Sequence, residues 1–309
     1  MKQTNLKKRP DLIEATIDLI EKSFEYNSKN SFKIDFYPLV NSTNFEHCHL
    51  LIDNNKVIGH IGRLQKSLKI NNHVFNINMF GGIAIDEQFQ GQGIFKEFFN
   101  NVLKRYPQEA LNFLWSDKID LYNKFNFHPC IEMFEYASKK SDINNHFEIK
   151  KIDLDIVSAH FSNNPYEIRF QRDSKDWKEL SHITSCQVYG IYRESKLINY
   201  FIKDKGQDLT DIIHEYYYMD SEQLSIMQNY GSVWSSYQYE DIKPTPLFAA
   251  LGQINNKKEF HSFISTLYNI DITDLNHSDI DLLQGFLGPG KFKEIESKYH
   301  FYFCGLETI

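Results

Sequence analysis

Cysteine is scarce and scattered: Cys48, Cys130, Cys186 and Cys304 are the four in 309 residues, and none forms a Cys-x-x-Cys pair. That spacing speaks against a disulfide framework and against a zinc site, and it reads as ordinary packed thiols. His47 and His49 would share one side of a strand, but no third ligand accompanies them, so no metal is expected. No apolar run approaches the ~18 residues that a bilayer span needs. Residues 1–11 are polar and basic without the apolar core of a secretory signal, so a cytoplasmic protein that leaves membranes alone is expected. The cluster Lys7-Lys8-Arg9 reads as a solvated terminus. Positive charge is also short. With 34 Lys and Arg against 41 Asp and Glu the formal net charge is -7, too acidic for non-specific contact with phosphate backbones, which excludes nucleic acid as the expected partner. The acidity serves solubility, or it marks an acidic cleft for a cationic amine that whole-chain charge cannot locate.

What is present is length for two compact domains, with boundaries expected at 1–140 and 141–309 across the polar stretch Ser138 to His146. Behind Pro10 and Asp11, the spacing of Leu12, Ile13, Ile17, Ile20 and Phe24 predicts an amphipathic helix over 11–26. His49 to Ile52 and Val57 to Ile61 flank a polar turn as a β-hairpin, and a second hairpin turns at Asn71-Asn72. Met79 to Asp86 reads as a central strand buried on both faces. It runs into Gln88-Phe89-Gln90-Gly91-Gln92-Gly93, after which Ile94, Phe95, Phe98, Phe99, Val102 and Leu103 recur at helical period. A strand at Ala110 to Trp115, a short helix at Lys118 to Phe125 and a last strand through Met133 to Ala137 follow.

The order strand, glycine loop, helix has a chemical meaning. A helix start presents unpaired N–H groups with a favourable dipole, and Gly91 and Gly93 let an anion approach the main chain, while Gln88 or Gln92 can add amide donors. A kinase-like nucleotide site is excluded because the loop lacks a Gly-Lys-Ser/Thr ending. Two spaced glycines alone are a weak signal. With Gly82-Ile83-Ala84-Ile85-Asp86 before them and Leu121-Tyr122-Asn123-Lys124-Phe125-Asn126-Phe127-His128-Pro129 after them, residues 11–137 resemble the GCN5-related N-acetyltransferase (GNAT) family.

The resemblance implies an α/β (α+β) fold with a mixed central sheet flanked by helices, and acetyl-CoA as co-substrate. Its pantetheine arm would pair with the edge of Ile83, Ala84 and Ile85. Its diphosphate would rest on amides of Gln90, Gly91, Gln92, Gly93, Ile94 and Phe95. A primary amine of a small molecule or peptide would attack the thioester directly in a ternary complex, which calls for a base and an acid. Tyr122 matches the family's tyrosine and would protonate the departing thiolate, unless it only packs on the cofactor. Ser116 and Asp117 would bind cofactor, or Ser116 would cap the helix starting at Lys118. Asn126 stands where the family often has glycine, and asparagine tolerates the left-handed backbone.

The second half faintly repeats the first. Tyr189 to Tyr192 and Leu197 to Ile202 form a hairpin pattern, Ile212 to Tyr218 would be its central strand, and Met219 to Leu224 would take the phosphate-loop place with two carboxylates and no glycine. Such a loop repels a pyrophosphate. Together with Arg172-x4-Trp177, His214-Glu215-Tyr216, Leu287-Gly288-Pro289 and Phe303-Cys304-Gly305-Leu306, this resembles tandem GNAT proteins such as the enhanced-intracellular-survival aminoglycoside acetyltransferases, whose second GNAT-like domain lacks the pyrophosphate loop. Those enzymes carry a further sterol-carrier-like domain, which a chain of this length is not expected to hold complete. In that group the terminal carboxylate enters the first site as a base, which makes Ile309 a candidate, against a final strand Tyr299 to Phe303 that tucks the terminus away. Glu215 is a second candidate, equally readable as structural. Self-association is left open. Two function classes remain: an N-acetyltransferase, and an acyl-CoA-binding regulatory or interaction protein without turnover.

Overall fold

The computed structural model describes residues 1–27, 29–70, 72–141, 146–162, 168–239, 242–272, 277–288, 290, 301–303 and 305–307. The first half opens with strand β1 (Lys2–Asn5) and helices α1 (Ile13–Ser23), α2 (Phe32–Asp35) and α3 (Tyr37–Val40). The antiparallel strands β2 (Cys48–Asp53), β3 (Lys56–Ile70) and β4 (His73–Ile85) follow. Then come α4 (Ile94–Leu103), β5 (Leu111–Leu114), α5 (Ile119–Asn123) and β6 (His128–Tyr136). Alternation along the strands gives two apolar faces. Leu50, Ile52, Val57 and Leu64 pack with Ile17 and Ile20 of α1, while Leu51, Ile58, Ile61 and Phe80 pack with Phe98, Phe99 and Val102 of α4. The sheet is thereby covered on both sides, and β4 runs longer than its apolar core because its hairpin with β3 continues to the turn at Ile70 and His73.

The second half contributes β7 (Glu148–Lys151), α6 (Leu154–Phe161), β8 (Ile168–Phe170), α7 (Ser174–Leu180) and the hairpin β9 (Gln187–Arg193) and β10 (Lys196–Lys203). It continues with β11 (Ile212–Tyr216), α8 (Ser221–Gln228), β12 (Ser232–Ser235), β13 (Thr245–Ile254), α9 (Lys257–Tyr268), α10 (Asp279–Leu287) and β14 (Phe301–Tyr302). Among the described residues the final strand is only Phe301–Tyr302, shorter than 299–303, and residues 299 and 300 lie outside them. The stretch 138–146 is described only in part; there the Lys139 amide donates to the Gln228 carbonyl at 3.0 Å, which ties it to α8.

One mixed sheet runs through both halves in the order β1-β2-β3-β4-β5-β13-β6-β12-β11-β10-β9-β7. The pairing pattern repeats. In the first half β3/β4 is antiparallel, β4/β5 parallel and β5/β13 antiparallel; in the second, β10/β11 is antiparallel, β11/β12 parallel and β12/β6 antiparallel. The first half therefore hands β6 to the second and receives β13 from it, and β13 and β6 pair at the middle. Sequence pattern does not predict this exchange, because the partners of β13 lie more than a hundred residues away.

A ladder of buried polar side chains fixes the register across four strands. Arg63 donates to Asn78 at 2.7 Å, Asn78 to Asn112 at 2.8 Å and Asn112 to Gln253 at 2.7 Å, linking β3, β4, β5 and β13. Arg63 also pairs with Glu109 at 2.6 Å and lies over the Tyr106 ring, whose hydroxyl bonds to both His47 and His49. These histidines thus belong to a hydrogen-bonded cluster, and among the described residues no group of three metal-ligating side chains occurs. Replacing Asn112 by Ala strands the donors and acceptors of Asn78 and Gln253 in a dry interior. We expect a loss of about 2–4 kcal/mol, read as a lower urea midpoint at unchanged slope.

Candidate active site

The parallel pairing of β4 with β5 is short. It covers Asn78 to Phe80 against Asn112 to Leu114, and beyond it the strands part, so the edge of β4 from Gly81 to Ile85 faces a cleft of about 610 Å³. That volume lies within the usual range for small-molecule sites, roughly 300–1,000 Å³. Ile83, Ala84 and Ile85 all line it. A β-bulge shapes this edge: His60 faces Ala84 and Gly62 faces Gly81, leaving two residues of β4 opposite one of β3. Gly82 sits in the bulge at φ +56°, and a side chain there would meet Phe32 and the His60 ring at about 3 Å. His60, wholly buried on β3, donates through Nδ1 to the Gly82 carbonyl at 2.6 Å and so braces the bulge. Neither residue was singled out by sequence, although a histidine on the buried side of an apolar strand, opposite a Gly-Gly pair, was the available signal.

At the end of β4, Asp86 folds the chain back. Its carboxylate accepts from the Gln88 amide and from Lys56 at 2.6 Å, and the Lys56 contact holds it below the usual carboxylate range. Gly91 and Gly93 then take left-handed conformations, φ +73° and +77°, which a glycine adopts without cost. Gly93 is the N-cap of α4, so amides of the first turn have no partner within the helix and open to solvent beside the cleft. Gln90, Gly91, Gly93, Ile94 and Phe95 line the cleft. The side chains of Gln90 and Gln92 are used differently from a phosphate grip: Gln90 donates to the Ile85 carbonyl at 3.0 Å and Gln92 to the Gln88 carbonyl at 2.9 Å, bracing the loop from within. Gln88 and Gln92 stand exposed, outside the cleft lining.

Opposite the loop, α5 brings Tyr122 to the cleft, 5% exposed and packed edge-on against Phe95 and Phe99. Burial first, and then the nearby Asp117 carboxylate, push its phenol well above the ordinary range, so it stays protonated and able to donate. Ser116 lines the same wall, and its hydroxyl accepts from the Lys118 amide at 3.1 Å ahead of α5. Asn126 has φ +60°, the left-handed backbone its type suggested.

The remaining walls come from Tyr26, Phe32 and Phe36 of the first half and from the second half. Lys205, Asp208 and Leu209 follow β10, Trp234 lies on β12, Ala249 on the exchanged strand β13, and Phe303 and Gly305 on the C-terminal segment. Opposite Ala249 the strand β6 carries Ile131 at φ +59°, an unfavourable conformation for a β-branched residue and a local strain beside the cleft.

Glu215 does not join this site. It is wholly buried in a triad with Arg172, at 2.7 Å, and Glu307, which bonds Arg172 at 2.6 Å. Burial opposes the charge of Arg172, but the carboxylates of Glu215 and Glu307 outweigh it, and the rings of Phe161 and Trp177 lie against the guanidinium. Ile309 lies outside the described residues. The loop of the second half that corresponds to the glycine loop is closed by its own acid: the Asp220 side chain accepts from the Gln223 amide at 2.7 Å at the start of α8.

A sequence profile of the acetyltransferase (GNAT) domain matches residues 7–130. In three dimensions the chain resembles a conserved Enterococcus faecalis protein of unknown function, a probable N-acyltransferase, at 13% identity and a TM-score of 0.63, over 84% of this chain and 74% of that one. It also resembles a GCN5-related N-acetyltransferase from Anabaena variabilis (13% identity, TM-score 0.60, 84% and 74% covered) and Eis1 from Mycobacterium abscessus (9%, 0.58, 86% and 76%). No curated protein matches in sequence. Residues 7–130 thus match a GNAT acetyltransferase domain, and the fold of the chain is similar to that of these GNAT proteins. Among the described residues no helix is long and apolar enough to cross a membrane.

Two outcomes are expected. Gly93→Ala finds open space around its new methyl but keeps a left-handed backbone, at about 1–2 kcal/mol. Coenzyme A affinity should fall at least about tenfold by calorimetry, because the methyl also stands where the anion approaches. Secondly, burial lowers both His60 and His214 from 6.5 to about 4, so the folded state holds them neutral. The unfolded chain then binds more protons between pH 4 and 6.5, stability is complete above 6.5, and it declines as pH falls through that window. A scan from pH 7 to 5 should lower Tm, each imidazole accounting for on the order of 2 kcal/mol at pH 5.

Proposed function

We propose that the chain is an N-acyltransferase that moves an acetyl group from acetyl-CoA to a primary amine by direct attack in a ternary complex. The observation that carries this reading is the open edge of Gly81 to Ile85 running straight into a left-handed glycine loop at the start of α4. An unpaired strand edge offers main-chain donors and acceptors to the amide groups of pantetheine, as a further strand would. The helix start offers amides and a positive dipole end to the diphosphate. The thioester then lies between the bulge at Gly82 and Tyr122.

In the reaction the amine nitrogen bonds to the thioester carbonyl carbon and the carbon–sulfur bond breaks. Tyr122, kept neutral by burial, delivers its proton to the leaving sulfur. The proton lost by the amine passes to a base in the cleft or to water. With its corresponding loop free of glycine and capped by Asp220, the second half serves as a GNAT-like partner without a diphosphate site, and the unit boundary near residue 140 belongs to the same proposal, as does a cytoplasmic setting. The other function class, a binder without turnover, is separated by one variant. Tyr122→Phe should lower kcat in a thiol-release assay about a hundredfold while coenzyme A affinity stays within about twofold. Unchanged turnover would remove Tyr122 from the chemistry, and no coenzyme A uptake by the wild type would end the acyltransferase reading itself.

A further inference from the structure

Where the two halves meet on the cleft wall, acids gather around a single lysine, Lys205. Asp208 and Tyr26 line the cleft wall, and Asp35 stands behind them, 1% exposed. The Oδ2 atom of Asp35 is buried with no hydrogen-bond partner. It points at the turn that carries Lys205 and Asp208: Gly206, at φ +58°, leaves the room, and a side chain there would stand 2.2 Å from that oxygen. Among the described residues neither Asp35 nor Asp208 has a basic group within 4 Å. Lys205 lies in the same region, but its ammonium is directed to the carbonyls of Gly305 and Leu306 at 3.1 and 3.4 Å. Its position over the Phe36 ring, at 4.5 Å, shows that these walls accommodate an ammonium group. Glu21 adds a further carboxylate to the field at Tyr26.

Burial pushes the carboxyls of both Asp35 and Asp208 up; Asp35 raises Asp208 further, while Ser185, Lys205 and Tyr26 pull Asp35, and Lys205 pulls Asp208, the opposite way. Unpaired acids in such a place cost folding stability, and a bound cation would recover it. The nitrogen that attacks the thioester has to be neutral, so it cannot be the group these acids hold. A second nitrogen can be.

We propose that Asp208 and Tyr26, backed by the buried Asp35, form a subsite for the distal ammonium of a diamine-type acceptor, so that the second half selects the amine the first half acylates. The aromatic wall of Phe32 and Phe36, stacked at 4.7 Å, gives a cation a π face in addition to the carboxylates. Asp208 and Tyr26 are specificity residues in this assignment, and Asp35 acts through its charge from behind them. The inference rests on the acyltransferase reading for its catalytic half, but amine binding itself can be read without turnover.

The test uses the full chain and three probes of similar length: diaminobutane, butylamine and aminobutanoate. In thiol-release kinetics, kcat/KM should be at least about tenfold higher for diaminobutane than for butylamine, and lowest for aminobutanoate, whose distal group is an anion. Asp208→Asn should reduce the diamine advantage over butylamine to within about threefold, mainly through the KM for diaminobutane. In thermal melts without acyl-CoA, diaminobutane should raise the Tm of the wild type and not that of Asp208→Asn, whereas the variant alone should melt higher than the wild type because a repulsive charge is gone. Equal use of butylamine and diaminobutane, or an equal Tm rise in both proteins, overturns the subsite. Failure to take up coenzyme A would instead overturn the transferase reading, while the melting experiment still decides whether the cleft binds a diamine.

Discussion

Strand β13 is hydrogen-bonded to β5 on one side and β6 on the other, and the rest of the molecule is arranged around that insertion. Without it β5, four residues long, would end the sheet of the first half as a bare edge, and the cleft would lose the wall at Ala249. The donation is mutual, since β6 completes the second half by pairing with β12. Neither half closes its own sheet. The parting of β4 from β5, where the edge of β4 faces the cleft, is therefore held by residues from both.

This coupling explains why the polar groups of the interior are concentrated where they are. The ladder from Arg63 to Gln253 pins β4, β5 and β13 just before the strands part, so the opening begins at a defined residue pair instead of drifting along the strands. The triad of Arg172, Glu215 and Glu307 does the same for the C-terminal segment, whose Phe303 and Gly305 reach the cleft. Buried ion pairs of this kind add little net stability over apolar packing, but they penalise any arrangement that leaves one partner alone. They act here as registers more than as adhesive.

Much of the first half was legible in order. The period of α1 and α4, the two hairpins, the glycine loop and Asn126 all carry local signals, because capping, turn geometry and left-handed backbone depend on residues next to one another. Helix α9 carries the same kind of local signal, with Asn256 as its cap and Phe260, Phe263, Ile264 and Leu267 at helical spacing, but it went unread. The glutamines show where the reading of a motif outruns local information. An amide side chain in such a loop can serve a ligand or the loop, and the carbonyls of Ile85 and Gln88 claim two of them.

By itself the sequence determined the strand, glycine loop and helix start beside the cleft, since φ and unpaired amides are fixed within a few residues. The tertiary structure alone decided which strand lies beside β5, that Glu215 is a partner of Arg172 away from the cleft, and that Asp35 and Asp208 meet across the two halves. Those pairings join residues far apart in the chain, and no local propensity encodes a contact whose partner is chosen by the closure of a sheet.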